Sequence, residues 1–138
     1  MISVPYRIMV ALAARGDERP VIKQAALYAK KFNAHLIAIH VNQPALSQPK
    51  GAVDQKLTKA DIQDRFIKYG FENILDDIEI IIEYGESISK IINKYAHDID
   101  LIILGHRKQT NFRSRIMDSI DEGISNIAPC PVLVVQKN

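Results

Sequence analysis

Five short runs of apolar, largely β-branched residues, separated by longer amphipathic stretches, constrain this chain more than any other feature. The runs are Tyr6 to Leu12, His35 to Val41, Ile78 to Tyr84, Leu101 to Leu104 and Val132 to Val135, and their length and composition predict strands. Several are apolar at nearly every position, which suits strands covered on both faces of a parallel sheet. Between them, Val21, Ala25, Tyr28, Ala29 and Phe32 recur at helical spacing, as do Ile88, Ile91, Ile92, Tyr95 and Ala96. Each set makes one apolar stripe on a helix. A third stripe comprises Phe112, Ile116, Ile120, Ile124 and Ile127, and a weaker one in the second connection comprises Ile62, Phe66 and Leu75. Strand and helix therefore alternate, which requires right-handed crossovers and an α/β, doubly wound sheet with helices on both faces.

Composition narrows the class further. At 138 residues, 47% hydrophobic and 25% charged, the chain is expected to be one domain, residues 1–138, able to build a core without metals or crosslinks. A formal net charge of +2 is too mild to make nucleic acid or a membrane the main partner. No run approaches the roughly 20 apolar residues of a membrane helix. Ala11-Leu12-Ala13 after an apolar stretch superficially fits a signal-peptide cleavage site, but Arg7 interrupts that stretch and cleavage would remove a core strand. The single cysteine, Cys130, forbids an internal disulfide and suits a reducing cytoplasm. Flanked by Pro129 and Pro131, it reads as a small buried apolar group.

In a sheet of this kind ligands bind at the carboxyl ends of the strands. The places to search are residues 13–17, 41–43 and 105 onward. The last of these, GHRKQTNFRSRIMDS from Gly105 to Ser119, carries Arg107, Lys108, Arg113 and Arg115 with no acid before Asp118. It reads as an anion site or as a solvated basic loop. Only Phe112 interleaves with the cations, so a base-stacking platform is missing and nucleic acid is not an expected partner. No two of the four histidines, His35, His40, His97 and His106, have metal-site spacing on one helix. His35 and His40 fall on opposite faces of a strand, and no metal site is expected. No nucleophile and base are recognisably spaced, so no catalytic residue is assigned and the chain is read as a non-enzyme.

The opening RIMVALAA, HLIAIHV some thirty residues later, DLIILGHRK and the terminal APCPVLVV together resemble the universal stress protein family, from about Tyr6 to Gln136. The resemblance implies a single-domain, Rossmann-like sheet of five parallel strands in the order 3-2-1-4-5, of the adenine nucleotide alpha hydrolase-like kind, and a homodimer. Nucleotide-binding members carry G-x2-G-x9-G-(S/T) after the fourth strand and an Asp at the end of the first. Here Gly105 and Ser119 match, whereas Lys108 and Asp118 replace glycines and Ala13 replaces the Asp. Lys108 and Asp118 remove the backbone clearance that phosphate loops need. Asp118, capping the following helical turn, would also set its own charge where a phosphate would lie. Ala13 offers no acceptor to an adenine amine or ribose hydroxyl.

Gly105-His106 and the polar loop after it are similar to the UspA-type branch, which implies stress adaptation through partner binding, with no cofactor. The alternative is an ATP- or AMP-binding switch, with Mg. Its site would comprise Ala11, Ala13, Val41, Gly105, His106, Lys108, Ser119 and Ile120, with Val41 meeting the base through its backbone and Gly105, Lys108, Ser119 and Ile120 holding phosphate. Glu79 and Glu83 alternate with isoleucines, as in an edge strand with one partly wet face or one guarded by charge. The apolar run Val132 to Val135 is expected at the opposite edge, pairing with a second copy.

Overall fold

A computed structural model describes residues 5–44, 56–107, 123–124 and 128–137, without the side chain of Arg107. Its centre is a five-stranded sheet in the order β3-β2-β1-β4-β5, built from β1 (Arg7–Ala11), β2 (His35–Asn42), β3 (Ile78–Tyr84), β4 (Leu101–Arg107) and β5 (Val132–Lys137). Every pairing is parallel, with Ile8 opposite both Leu36 and Leu101. The fold class and strand order are those expected.

The apolar runs resolve into two cores, one on each face. Ile8, Val10, Leu36, Ala38 and Ile103 pack on one side; Met9, Ile37, Ile39, Val41, Ile102 and Leu104 pack on the other. Helix α1 (Arg19–Lys31) and α2 (Lys59–Lys68) cover the first face through Val21, Ile22, Ala25, Ile62 and Phe66. Helix α3 (Ile88–Tyr95) covers the second through Ile92, beside buried Ile124.

Local chemistry sets the helix ends. Pro20 stands in the first turn of α1, where its missing N–H costs nothing. Thr58 and Asp61 form a capping box on α2, each side chain accepting from the other's backbone N–H. Ser87 caps α3 by accepting from the Lys90 N–H. Among the described residues no helix is long and apolar enough to cross a membrane.

Several boundaries differ from the sequence reading, and β1, Arg7–Ala11, is one residue shorter at each end than the run Tyr6 to Leu12. β4 runs on past Leu104 to Arg107, and β5 past Val135 to Lys137, because the pairs Gly105–Val135, His106–Gln136 and Arg107–Lys137 satisfy backbone groups whatever the side chains are. The last strand is thus neither as short nor as uncharged as VLVV suggests. Asn42, one residue beyond the run that ends at Val41, closes β2 opposite Tyr84. Leu75 lies in a 3₁₀ turn, Glu72–Asp77, and packs on the first core without extending α2. β3 and β5 are the two edges, as expected.

Candidate functional site at the carboxyl ends of the strands

The carboxyl ends of β1 and β4 meet at the sheet centre, and a cleft opens beside them on the α3 face. Ala11, Leu12, Ala13, Ile39, Val41, Ile88, Ile92, Leu104, Gly105 and Ile124 line it. Four of the residues assigned from sequence, Ala11, Ala13, Val41 and Gly105, therefore share one wall. His106 follows Gly105 in β4. Lys108, Ser119 and Ile120 lie outside the described residues, as do Arg113, Arg115 and Asp118. The cleft holds about 80 Å³, well under the roughly 300 Å³ at which ordinary small-molecule sites begin. A flat apolar ring edge suits it; the rest of a nucleotide would have to extend beyond it.

Gly105 matches a phosphate-loop glycine in sequence, yet its missing side chain has an internal use. A Cβ there would come within 2.7 Å of Val21 Cγ2 and 2.7 Å of Lys137 Cδ. The Lys137 stem crosses over Gly105, and its ammonium donates to the Arg15 carbonyl at 2.9 Å.

The turn between β1 and α1 is held tightly by groups distant in sequence. Ala14 has φ 60° and Gly16 φ 62°; the left-handed backbone at Ala14 costs roughly 1–2 kcal/mol, so the surroundings must impose it. Arg65 Nη2 donates to the Gly16 carbonyl at 2.9 Å, while its Nε donates to Glu18 Oε1 at 2.8 Å. Glu18, only 1% exposed, gives its backbone N–H to the Tyr69 hydroxyl. The buried charge is therefore paired, as it must be to remain charged.

A second polar cluster stands on the same face, behind the cleft wall. His40 is buried, and its Nδ1–H donates to the Leu12 carbonyl at 2.8 Å. Its Nε2 lies 3.2 Å from Asn42 Oδ1. Asn42 grips Leu57 at both backbone atoms: Nδ2 donates to the Leu57 carbonyl at 2.9 Å, and the Leu57 N–H donates to Oδ1 at 2.9 Å. Sequence reading considered His40 only as a metal ligand and missed Glu18, Arg65, Tyr69, Asn42 and Lys137. The polar residue His40 inside an otherwise apolar strand was the one available signal.

Two further titratable groups among the described residues, Tyr95 and Cys130, read as structural. Tyr95 donates to Glu83 on the β3 edge, and that bond, with burial and the nearby carboxylates, pushes the phenol up. Burial foremost, then Asp100, pushes the Cys130 thiol up despite a bond that opposes it. Half-buried against the second core, it packs as expected and is a poor thiolate.

A parallel sheet in this order, with its open cleft where β1 and β4 end, defines the Rossmann-like class whose ligand sites lie at the switch point between those strands. The sequence profile of the universal stress protein family matches residues 6–136, and the chain belongs to that family. It is 27% identical over 137 residues to a protein of Staphylococcus aureus (strain USA300) named as a universal stress protein, covering 94% of this chain and 82% of that one. Solved structures share the fold. A universal stress protein from Archaeoglobus fulgidus superposes with a TM-score of 0.64 at 20% identity, covering 94% of this chain and 93% of that one. One in complex with cAMP gives 0.67 at 17% identity, covering 97% and 98%. An Archaeoglobus fulgidus universal stress protein in complex with dAMP gives 0.59 at 19%, covering 98% and 99%.

Proposed function

We propose that this universal stress protein acts in the cytoplasm by binding protein partners, without turnover and without ATP. The observation that carries this reading is the composition of the cleft at its one informative corner. Ala13, at the end of the first strand, presents a methyl group where nucleotide-binding relatives present a carboxylate. An adenine or ribose placed there would gain no hydrogen bond from that side chain, and a hydrogen bond not made forgoes on the order of 1 kcal/mol. The replacement of two motif glycines by Lys108 and Asp118 points the same way.

The test is mass spectrometry of protein purified without added ligand, followed by calorimetric titration with Mg-ATP, AMP, cAMP and dAMP. Absence of bound nucleotide and of heat at millimolar ligand is expected. Co-purified nucleotide or micromolar binding would overturn the reading in favour of a nucleotide switch. Two observations favour that second reading: the relatives in complex with cAMP and dAMP, and an apolar cleft that brings Ala11, Ala13, Val41 and Gly105 together. In it His106, Lys108, Ser119 and Ile120 would complete the site, and Lys108→Gly with Asp118→Gly would strengthen binding.

The working unit is a homodimer formed through Val132 to Val135. β5 is an edge, and Val134 is 36% exposed on it; an unpaired apolar strand edge favours a second copy. Sedimentation of wild type against Val134→Lys tests it. A dimer that the substitution splits is expected, and a monomeric wild type would refute the assignment.

A further inference from the structure

A second and larger opening lies on the other face of the sheet and toward its other end. It runs between α1 and the 3₁₀ turn Glu72–Asp77, over the amino ends of β2 and β3, and offers about 460 Å³. That volume is within the range of ordinary small-molecule sites. None of its lining residues belongs to the cleft at the carboxyl ends. Leu36 and Ile78, which pair across the two strands, make its floor.

The room has a cause in the sequence. Lys23, Ala26, Leu27 and Lys30 follow one another at helical spacing, so they share one side of α1, apart from the stripe that packs on the first core. At the middle of that side stands Ala26, whose methyl group cannot span to the facing segment. That segment supplies Phe71 and Ile74, and the turn itself buries no residue. Leu27 is left 41% exposed. An apolar occupant would take these side chains out of water, which is the main source of affinity in such a groove.

The polar lining selects the head group. Lys23 and Lys30 against the single Asp77 leave one net positive charge, and among the described residues neither lysine is held in an ion pair or a hydrogen bond. Helix α1 runs back against the strands, so Lys30 stands at the amino end with Asp77, the residue immediately before β3. Lys23 stands seven residues earlier, about 10 Å along the helix, away from that acid. The first turn of α1, whose free N–H groups would suit a phosphate, contributes no lining residue. A single negative charge therefore matches the groove, and a phosphate dianion does not.

We propose that this groove binds a small amphipathic monocarboxylate, with its apolar body on Leu27, Phe71 and Ile74 and its carboxylate on Lys23. The site goes beyond the proposed function and does not rest on it.

The experiment titrates the full chain, labelled with ¹⁵N, with octanoate and with octan-1-ol, which has the same kind of apolar chain without the charge. Octanoate at millimolar concentration or below is expected to move the amide signals of Ala26, Leu27 and Ile74 saturably. Those of Leu12 and Val41, in the other cleft, stay constant. Octan-1-ol binds at the same amides about fivefold more weakly, the upper end for an exposed ion pair. Lys23→Gln lowers the octanoate affinity to that of octan-1-ol, and Lys30→Gln changes it less. Ala26→Phe fills the groove and abolishes binding of both probes; should that variant fail to fold, the exposed Lys23 still carries the test. Absence of saturable shifts, equal affinity for the two probes, or shifts centred on Leu12 and Val41 overturns the site. So does concentration-dependent broadening confined to Leu27 and Ile74 without any probe, which would assign the groove to a second copy of the chain. Nucleotide binding in the calorimeter would overturn the proposed function and leave this site standing, so the two failures are distinct.

Discussion

The two faces of the sheet end differently at its carboxyl edge. On the α1 and α2 side, Glu18, Arg65, Tyr69, His40 and Asn42 tie the turns down with charge and hydrogen bonds. On the α3 side the corresponding ground is aliphatic, with Ile39, Val41, Ile88, Ile92, Leu104 and Ile124, and there the cleft opens. The difference teaches that rigidity and access have been separated. The polar face fixes where β1 and β2 stop, and at this carboxyl edge the cleft is left to the dry face.

That contrast can be broken in graded steps. Arg65→Ala should cost most, about 3–5 kcal/mol in urea denaturation, because it strands the buried Glu18 carboxylate. Glu18→Gln combined with Arg65→Met should recover much of that loss; a cost under about 1 kcal/mol for Arg65→Ala would show that the pair is not structural. Ile92→Ala, on the dry face, should cost about 2 kcal/mol, the low end for such a truncation, because the void merges with an existing cleft. If its cost exceeds that of Arg65→Ala, the proposed ranking of the faces is wrong. Thr58→Ala should cost about 1 kcal/mol by removing the α2 cap, without moving amide shifts around Ile92.

The smallest effect is a pH effect at the same cap. The backbone N–H and hydroxyl of Thr58 hold the Asp61 carboxyl below its ordinary value. Its contribution is therefore present above the unfolded carboxylate range, about 4, and is lost as pH falls through the lower folded value. Exchange of the Asp61 and Ile62 amides should accelerate beyond intrinsic chemistry at the acid end of a titration, and Asp61→Asn should flatten that response. An acid response unchanged in Asp61→Asn would assign it elsewhere.

The dry face was readable from the sequence because its residues repeat at fixed local spacing: Ile88, Ile91 and Ile92 on a helix, Ile37, Ile39 and Val41 on a strand. Strand order came from the resemblance carried by RIMVALAA, GHRK and APCPVLVV. The polar face was not readable, since its pairs join positions 47 residues apart for Glu18 and Arg65, 28 for Leu12 and His40, and 122 for Arg15 and Lys137. Nothing local marks such partners. The strand extensions through Arg107 and Lys137 escaped for another reason, because backbone pairing tolerates side chains that periodicity counts against a strand. The basic stretch from Lys108 to Ser119 lies outside the described residues.

The reach of Lys137 over Gly105 to Arg15 also sets an order of events during synthesis. The 122 positions between these partners take roughly 6 to 25 seconds to translate at ordinary rates. Throughout that interval the growing chain holds its first turn without the strap that will cross it, and β4 without its outer neighbour. A chain cut short after β4 would display that bare strand edge to chaperones and proteases, so β5 shields its neighbour as well as widening the sheet.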